Sequence, residues 1–323
     1  MKILRNLRGL GASRGTVLLA IGFFDGVHRG HRKIIKALIR SARRAKASAW
    51  VLTFNTHPQK VLNPDSAPKL LTSTEHKLQL LAEMGIDGCV LMNFTRKLAR
   101  QEPEAFVETL AGAAPNLRGV FVGSNWVFGR HCRGNAATLK MLGKLHGFEV
   151  AVIRPACWRK APISSTRIRS AVAAGRLKEA ALMLGRSFSI LATVVPGNGL
   201  GRKLGVPTAN LRAHNEVTPP NGVFIVRARL RNNCHAGVAN LGIRPTLTRV
   251  FHSRKNAHPE RVLELHIFGI KSDLYGEIVD VEFLKKIRNE RAFTSLDALK
   301  LRIREDIATA RKWLHCPKKN NRE

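Results

Sequence analysis

The chain is expected to form two units of different class: an α/β unit built on a parallel sheet, then an antiparallel β-barrel with a C-terminal helix. Three observations predict this. As far as Gly185, apolar runs of strand length alternate with helical repeats, the pattern of a helix-flanked parallel sheet. Beyond Gly185, short β-branched runs and turns succeed one another without helices between them, the pattern of a small barrel. Last, Leu296, Leu299, Ile303 and Ile307 fall on one helical stripe. The expected domains are residues 1–185 and 186–315, with 316–323 as a frayed tail.

Composition limits the class of protein. With 323 residues and 44% hydrophobic content, the chain can bury two cores. It has no apolar run near the ~20 residues of a membrane span, and the basic start at Lys2, Arg5 and Arg8 lacks an apolar signal region. No membrane association and a cytoplasmic location are therefore expected. Cys89, Cys132, Cys157, Cys234 and Cys316 are odd in number and widely spaced, which predicts free thiols rather than disulfides or structural zinc. The net charge of +33 raises nucleic-acid binding as a rival function. Its basic residues are spread along the chain and only 6% of residues are aromatic, so a focused nucleic-acid stripe is absent and no specific nucleic-acid partner is expected. Oligomeric state is left open.

In the first unit, Val17 to Ile21 reads as a buried strand, followed by a turn with three glycines and a helical repeat at Ile34, Ile35, Leu38 and Ile39. Strand, tight turn and helix start form an anion site at the carboxyl edge of a sheet. His28 and His31 stand in that turn and can serve one ligand. Ser48 to Phe54 is a second strand, ending in Thr53-Phe54-Asn55-Thr56-His57-Pro58. Thr72 and Glu75 form a capping box before a helix that ends at Gly85. Ile86 to Met92 reads as a strand, Glu102 to Leu110 as a helix, and Val120 to Gly129 as a strand with a loop at its end. A helix through Leu139, Leu142 and Leu145 follows. Ile163-Ser-Ser-Thr-Arg-Ile-Arg169 opens another helix, read as continuous to Leu184, whose hydroxyls suit either capping or phosphate binding.

In the second unit, Ser187 to Pro196 is a strand, and Gly197 to Asn210 is a glycine-rich segment whose register fits neither a P-loop nor a dinucleotide fingerprint. Further strands are expected at 222–230, 234–242, 262–270 and 277–283. Alternation places Glu264 and His266 on one face, expected to point into the barrel, where a carboxylate is costly unless used or paired.

His28-x-Gly30-His31 after a strand resembles the signature of the nucleotidylyltransferase superfamily. The longer run from Phe24 to His31 resembles the FAD synthetase half of the bacterial bifunctional riboflavin kinase/FAD synthetases. Similar family segments are Thr53 to Pro58, Val122 to Gly129, and Ser164 to Arg169. The resemblance implies His28 and His31 as catalytic phosphate donors, with nucleotide or flavin contacts from Gly22, Phe24, Asp25, Gly30, His57, Asn125, Phe128, Ser164, Ser165, Thr166 and Arg169. Gly205-Val-Pro207-Thr208-Ala-Asn210 resembles the kinase half of the same family, as do Ile243 to Thr246 and Asp273 to Gly276. From this, Gly205, Pro207 and Asn210 are expected to bind nucleotide, Thr208 and Asn210 to hold Mg2+, and Glu264 to act as base. The implied fold is a Rossmann-like nucleotidylyltransferase domain followed by a riboflavin kinase barrel. The implied reactions phosphorylate riboflavin to FMN and then adenylylate FMN to FAD, with ATP as co-substrate. The chain departs from the family pattern at Asn55, Thr56 and Asn125, where Asn55 and Asn125 stand for acidic residues. Two rival readings follow: a kinase with a degraded first domain, and an RNA-binding protein on a nucleotidylyltransferase fold.

Overall fold

A computed structural model describes residues 1–12, 15–197, 201, 205–231, 233–243, 261–270 and 272–315. It has two compact units, Met1–Ile168 with Met183–Gly185, and Arg169–Leu182 with Arg186–Glu323. Most of the Ile243 to Thr246 segment and the expected tail lie outside the described residues.

The first unit is a six-stranded parallel sheet. Its strands are β1 (Lys2–Leu4), β2 (Val17–Ile21), β3 (Ser48–Phe54), β4 (Gly88–Met92), β5 (Leu117–Gly123) and β6 (Glu149–Ile153), in the order β1-β4-β3-β2-β5-β6. Every residue of β2 is buried. Val17, Leu19 and Ile21 join one core, and Leu18 and Ala20 join the other with Ile34, Ile35 and Leu38 of helix Arg29–Arg44. A strand covered on both faces reads as a continuous apolar run. The chain order reverses beside β2, between β3 and β5, which opens a crevice at the carboxyl ends of these strands.

Several local expectations are corrected. Two edge strands were not expected: β1, three residues long, and β6, none of whose residues is fully buried. The helix Thr74–Ala82 is capped by Ser73, not Thr72. Thr72 is instead drawn to the first turn, where its hydroxyl accepts from the Gly26 N–H at 3.1 Å. The helix expected to run unbroken to Leu184 is two, Ser165–Ala173 and Leu177–Leu184. Between them Gly175 takes φ +72°, a left-handed conformation that ends helices.

The second unit is a closed antiparallel barrel. Its strands are β7 (Phe188–Val195), β8 (Ala209–Ala213), β9 (Gly222–Leu230), β10 (Asn233–Ile243), β11 (Arg261–Ile267) and β12 (Ile278–Arg288), in the order β7-β8-β11-β10-β9-β12. Strand β8 was not anticipated, because its residues close the glycine-rich segment and carry little apolar pattern. Leu211, Phe224, Leu241, Leu263, Leu265 and Phe283 are buried, and Phe224 and Phe283 meet edge to face at 5.2 Å. Helix Leu296–His315 covers the outer face of β9 and β10, with Ile307, Ala310 and Trp313 against Val223, Ile225 and Val238. Buried Asp306 pairs with Arg288 of β12 at 2.8 Å. The stripe was expected to begin at Leu296, but that residue is 61% exposed and packing comes from the helix's second half.

Candidate active sites

In the sheet unit, the crevice at the strand ends is a cavity of about 1090 Å³. Its lining includes Gly22, Phe24 and His31 from the first turn, His57 after β3, and Asn125, Trp126 and Phe128 after β5. The turn is built by Phe24 and Gly26, both at positive φ, +56° and +77°. Such backbone in a non-glycine residue is uncommon and clusters at ligand sites.

His28 is the N-cap of helix Arg29–Arg44, its Nδ1 accepting from the His31 N–H at 3.4 Å. It is buried and does not line the cavity, whereas His31 does. The His31 Nδ1 is shielded from water and has no hydrogen-bond partner in the protein. A polar atom left in this way is costly unless a ligand meets it. Burial above all, with His28 and Lys77 adding, holds the His31 imidazole well below its ordinary pKa of 6.5.

Asp25, expected among the ligand contacts, is 3% exposed and does not line the cavity. Its carboxylate accepts from the N–H groups of Leu71 at 3.0 Å and Thr72 at 3.1 Å, and from the Thr72 hydroxyl at 3.3 Å. It fastens the 70–72 segment to the turn. Its carbonyl accepts from the Ser165 hydroxyl at 3.0 Å, which draws the two phosphate-like motifs together. Ser164 caps helix Ser165–Ala173, its Oγ accepting from the Arg167 N–H at 3.3 Å, and Arg169 follows Ser165 by one turn. Gly30 is absent from the cavity wall, and a side chain there would press on the His28 ring at 3.1 Å.

His57 combines both roles open to it. Its Nδ1 accepts from the Gln59 N–H at 3.1 Å, capping a short helix, and its ring meets Phe23 edge-on at 4.6 Å inside the cavity. Trp126 and Phe128 stack at 4.6 Å with planes 15° apart. Their loop turns at Gly129, φ +71°, where any side chain would strike Pro103 at 2.7 Å. Together these rings make an apolar wall suited to a flat heteroaromatic ligand.

In the barrel unit, Asn210 of β8 lies opposite Glu264 of β11, which lies opposite Asn240 of β10. The register puts these three side chains in one row. Glu264 does not point into the barrel as expected: Leu263, Leu265 and Ile267 fill the interior, so Glu264 and His266 lie on the outer, partly exposed face. The His266 Nδ1 bonds the Pro207 carbonyl at 2.7 Å. A side chain at Gly197 would collide with the Asn210 amide, and one at Gly201 with the Thr208 hydroxyl. Glycine there lets the loop ends close over both groups. A hydroxyl and an amide oxygen in such a cradle fit Mg2+, a hard cation that takes few protein oxygens and keeps phosphate and water ligands. Beside them a smaller cavity, about 290 Å³, is lined in part by Pro196, Asn210, Thr218 and Arg261.

The model of the FAD synthetase family matches residues 12–167, and that of the riboflavin kinase family residues 184–314. The bifunctional riboflavin kinase/FMN adenylyltransferase of Haemophilus influenzae is 34% identical over 316 residues, covering 98% of this chain and 100% of its own. The chain belongs to the bifunctional riboflavin kinase/FMN adenylyltransferase family. The Escherichia coli K12 member is 36% identical over 315 residues, 97% of this chain and 98% of its own. A crystal structure titled as a macrolide-efflux protein from Streptococcus pneumoniae shares the fold, with TM-score 0.81 and 29% identity over 96% of this chain and 98% of that one. Among the described residues here, no helix is long and apolar enough to cross a membrane.

The sequence reading missed several residues of the bifunctional enzyme's sheet-unit cavity, among them Phe23, Phe94, Arg96, Arg100 and Phe106. Phe94 and Arg96 follow the carboxyl end of β4, and loops at strand ends of an open α/β sheet are where ligands bind. That rule was the available signal.

Proposed function

We propose that the family's two activities are divided between the sheet and the barrel, with the functional boundary at residues 185/186, so that Arg169–Leu182, which group with the second unit, serve the first activity and residues 316–323 serve neither. Riboflavin is phosphorylated on the barrel, and the resulting FMN is adenylylated on the sheet. The observation that carries the adenylyl site is His31, which lines the large cavity at the strand ends and whose shielded Nδ1 has no hydrogen-bond partner in the protein.

In that reaction an FMN phosphate oxygen attacks the α-phosphorus of ATP, and the bond to the bridging oxygen breaks to release pyrophosphate. The flavin ring lies against Trp126 and Phe128. His31 meets the α-phosphate, with His28 setting its position from below. The hydroxyls of Ser164, Ser165 and Thr166, and Arg169, receive the departing β- and γ-phosphates. Gly22 and Phe24 leave room for nucleotide at the strand end, and His57 and Asn125 complete the wall.

On the barrel, Thr208 and Asn210 would hold Mg2+ with the nucleotide, and Gly205 and Pro207 shape the loop beneath it. The ion, when bound, neutralises phosphate charge. Glu264, in the same cross-strand row as Asn210, takes the proton of the ribityl hydroxyl as its oxygen attacks the γ-phosphorus and ADP leaves. An outward-facing base suits a substrate that docks on the barrel wall. Both sites act chiefly by positioning and electrostatics. ATP and FMN chemistry, together with unpaired thiols at Cys89, Cys132, Cys157 and Cys234, supports a cytoplasmic setting.

The test is direct. Purified protein is incubated with riboflavin, ATP and magnesium, and the flavins are separated. FMN should form first and FAD after it, with pyrophosphate released in step with FAD. FMN alone would favour a kinase with a degraded first domain, for which Asn55, Thr56 and Asn125 are the supporting departures.

A further inference from the structure

Lys77 is 3% exposed, and nothing in the chemistry above uses it. It rises from helix Thr74–Ala82 to the carboxyl ends of two central strands. Its ammonium donates to the carbonyl of Phe54, the last residue of β3, at 2.6 Å, and to that of Phe23, two residues past β2, at 3.2 Å. It also lies 4.3 Å from the centroid of the Phe23 ring, whose edge meets His57. The Thr53 hydroxyl donates to the same Phe23 carbonyl at 2.9 Å, and Thr74 ties the helix to the Asn55 carbonyl at 3.1 Å.

Burying an ammonium is expensive unless it is paired, and here the pairing is with backbone at the base of two ligand-bearing turns. One turn leads to His28 and His31, the other to His57. We propose that Lys77 is a positioning residue of the adenylyl-transfer site, its buried ammonium clamping the ends of β2 and β3 so that the turns carrying His31 and His57 share one wall. The inference rests on the sheet unit being the FMN adenylyltransferase. A neutral residue of similar reach would satisfy the carbonyls less well and would remove a positive charge from the phosphate edge of the sheet. The charge is felt at His31, whose proton affinity is lowered by burial first, then by His28 and by Lys77. Burial pulls the Lys77 pKa down to about 8, and the Asp25 carboxylate opposes this by favouring the charged form.

The experiment uses the full chain with Lys77→Met and Lys77→Gln. FAD formation from FMN and ATP is measured as kcat and KM, riboflavin phosphorylation is measured on the same preparation, and imidazole titrations are followed by NMR, with His31→Asn assigning the His31 signal. Misplacing reacting groups by an ångström costs on the order of 100-fold. Lys77→Met should therefore lose about 10- to 100-fold in kcat for FAD formation, with KM little changed and riboflavin phosphorylation intact. Lys77→Gln, which keeps an N–H donor, should fall between it and the wild type. In both, His31 should titrate at higher pH, because a charge that depresses it is gone; the kcat loss with KM and riboflavin phosphorylation intact is the readout that a purely structural lysine would not move. Folded Lys77→Met with wild-type kcat and an unmoved His31 titration overturns the proposal. If Lys77→Met does not fold, Lys77→Gln decides by the same two readouts. A wild-type protein that makes no FAD would overturn the adenylyltransferase reading instead.

Discussion

The imidazole rings of His28 and His31 lie face to face, their centroids 3.5 Å apart and their planes 19° from parallel. Two rings this close resist being charged together. One consequence is a division of labour between them, with His28 capping the helix and His31 exposed to the cavity. Burial above all, with the His28 ring adding, keeps His31 neutral where a free histidine would begin to protonate. Removing one preorganised donor from a charge-developing site costs about 100- to 1,000-fold. His31→Ala should therefore lower FAD formation by that factor and leave FMN formation unchanged, as measured by separating flavins over time.

The same depressed pKa has a stability signature. Because the folded state holds the His31 proton less tightly than the unfolded chain, the unfolded chain gains protons first as pH falls below 6.5. The sheet unit should lose stability as pH falls from 6.5 towards the lower folded value, and His31→Asn should remove that part of the loss. Thermal unfolding of both proteins across this pH range checks it. Parallel curves would show that His31 is not depressed.

Asp25 looked in sequence like one more ligand residue of the motif, yet it is spent on the backbone of Leu71 and Thr72 and on the Thr72 hydroxyl. Asp25→Ala leaves buried donors unpaired, each worth about 1–3 kcal/mol. The sheet unit should melt earlier while the barrel keeps its transition, as calorimetry of the full chain would show. Unchanged melting with lost FAD formation would return Asp25 to the ligand set.

The flavin wall is a separate matter of affinity. Stacked aromatic pairs contribute about 0.5–1.5 kcal/mol beyond area burial. Trp126→Ala should raise KM for FMN by on the order of tenfold, through that term and lost area together, while KM for ATP changes little. An equal rise for both substrates would place Trp126 outside the flavin site.

How far the sequence disclosed this molecule depends on the range of the interactions involved. The buried run Val17–Ile21 and the alternation up to Gly185 gave the sheet, because burial on both faces leaves a local apolar signal. The motifs pointed to His31 and His57, which line the cavity, and to the Ser164 cap, since each lies in a turn of fixed local chemistry. Glu264 was assigned to the correct alternating set with His266 but to the wrong side of the barrel, because alternation fixes which residues share a face and not which face is inside. Leu263 and Leu265 settle that only once the barrel closes. Lys77 and Asp25 escaped for a similar reason: their partners at Phe54 and Leu71 are 23 and 46 positions away, and no local pattern announces such contacts.

The most direct test of two activities on two units is a crossed assay of Glu264→Gln. Gln keeps the shape but cannot take a proton, and a positioned base supplies about 100- to 10,000-fold. Glu264 faces outward, so the barrel should keep its wild-type melting temperature. Supplied with riboflavin and ATP, Glu264→Gln should form FMN slower by that factor; supplied with FMN and ATP, it should form FAD at the wild-type rate. Loss of FAD formation from supplied FMN, or wild-type FMN formation from riboflavin, would contradict the account.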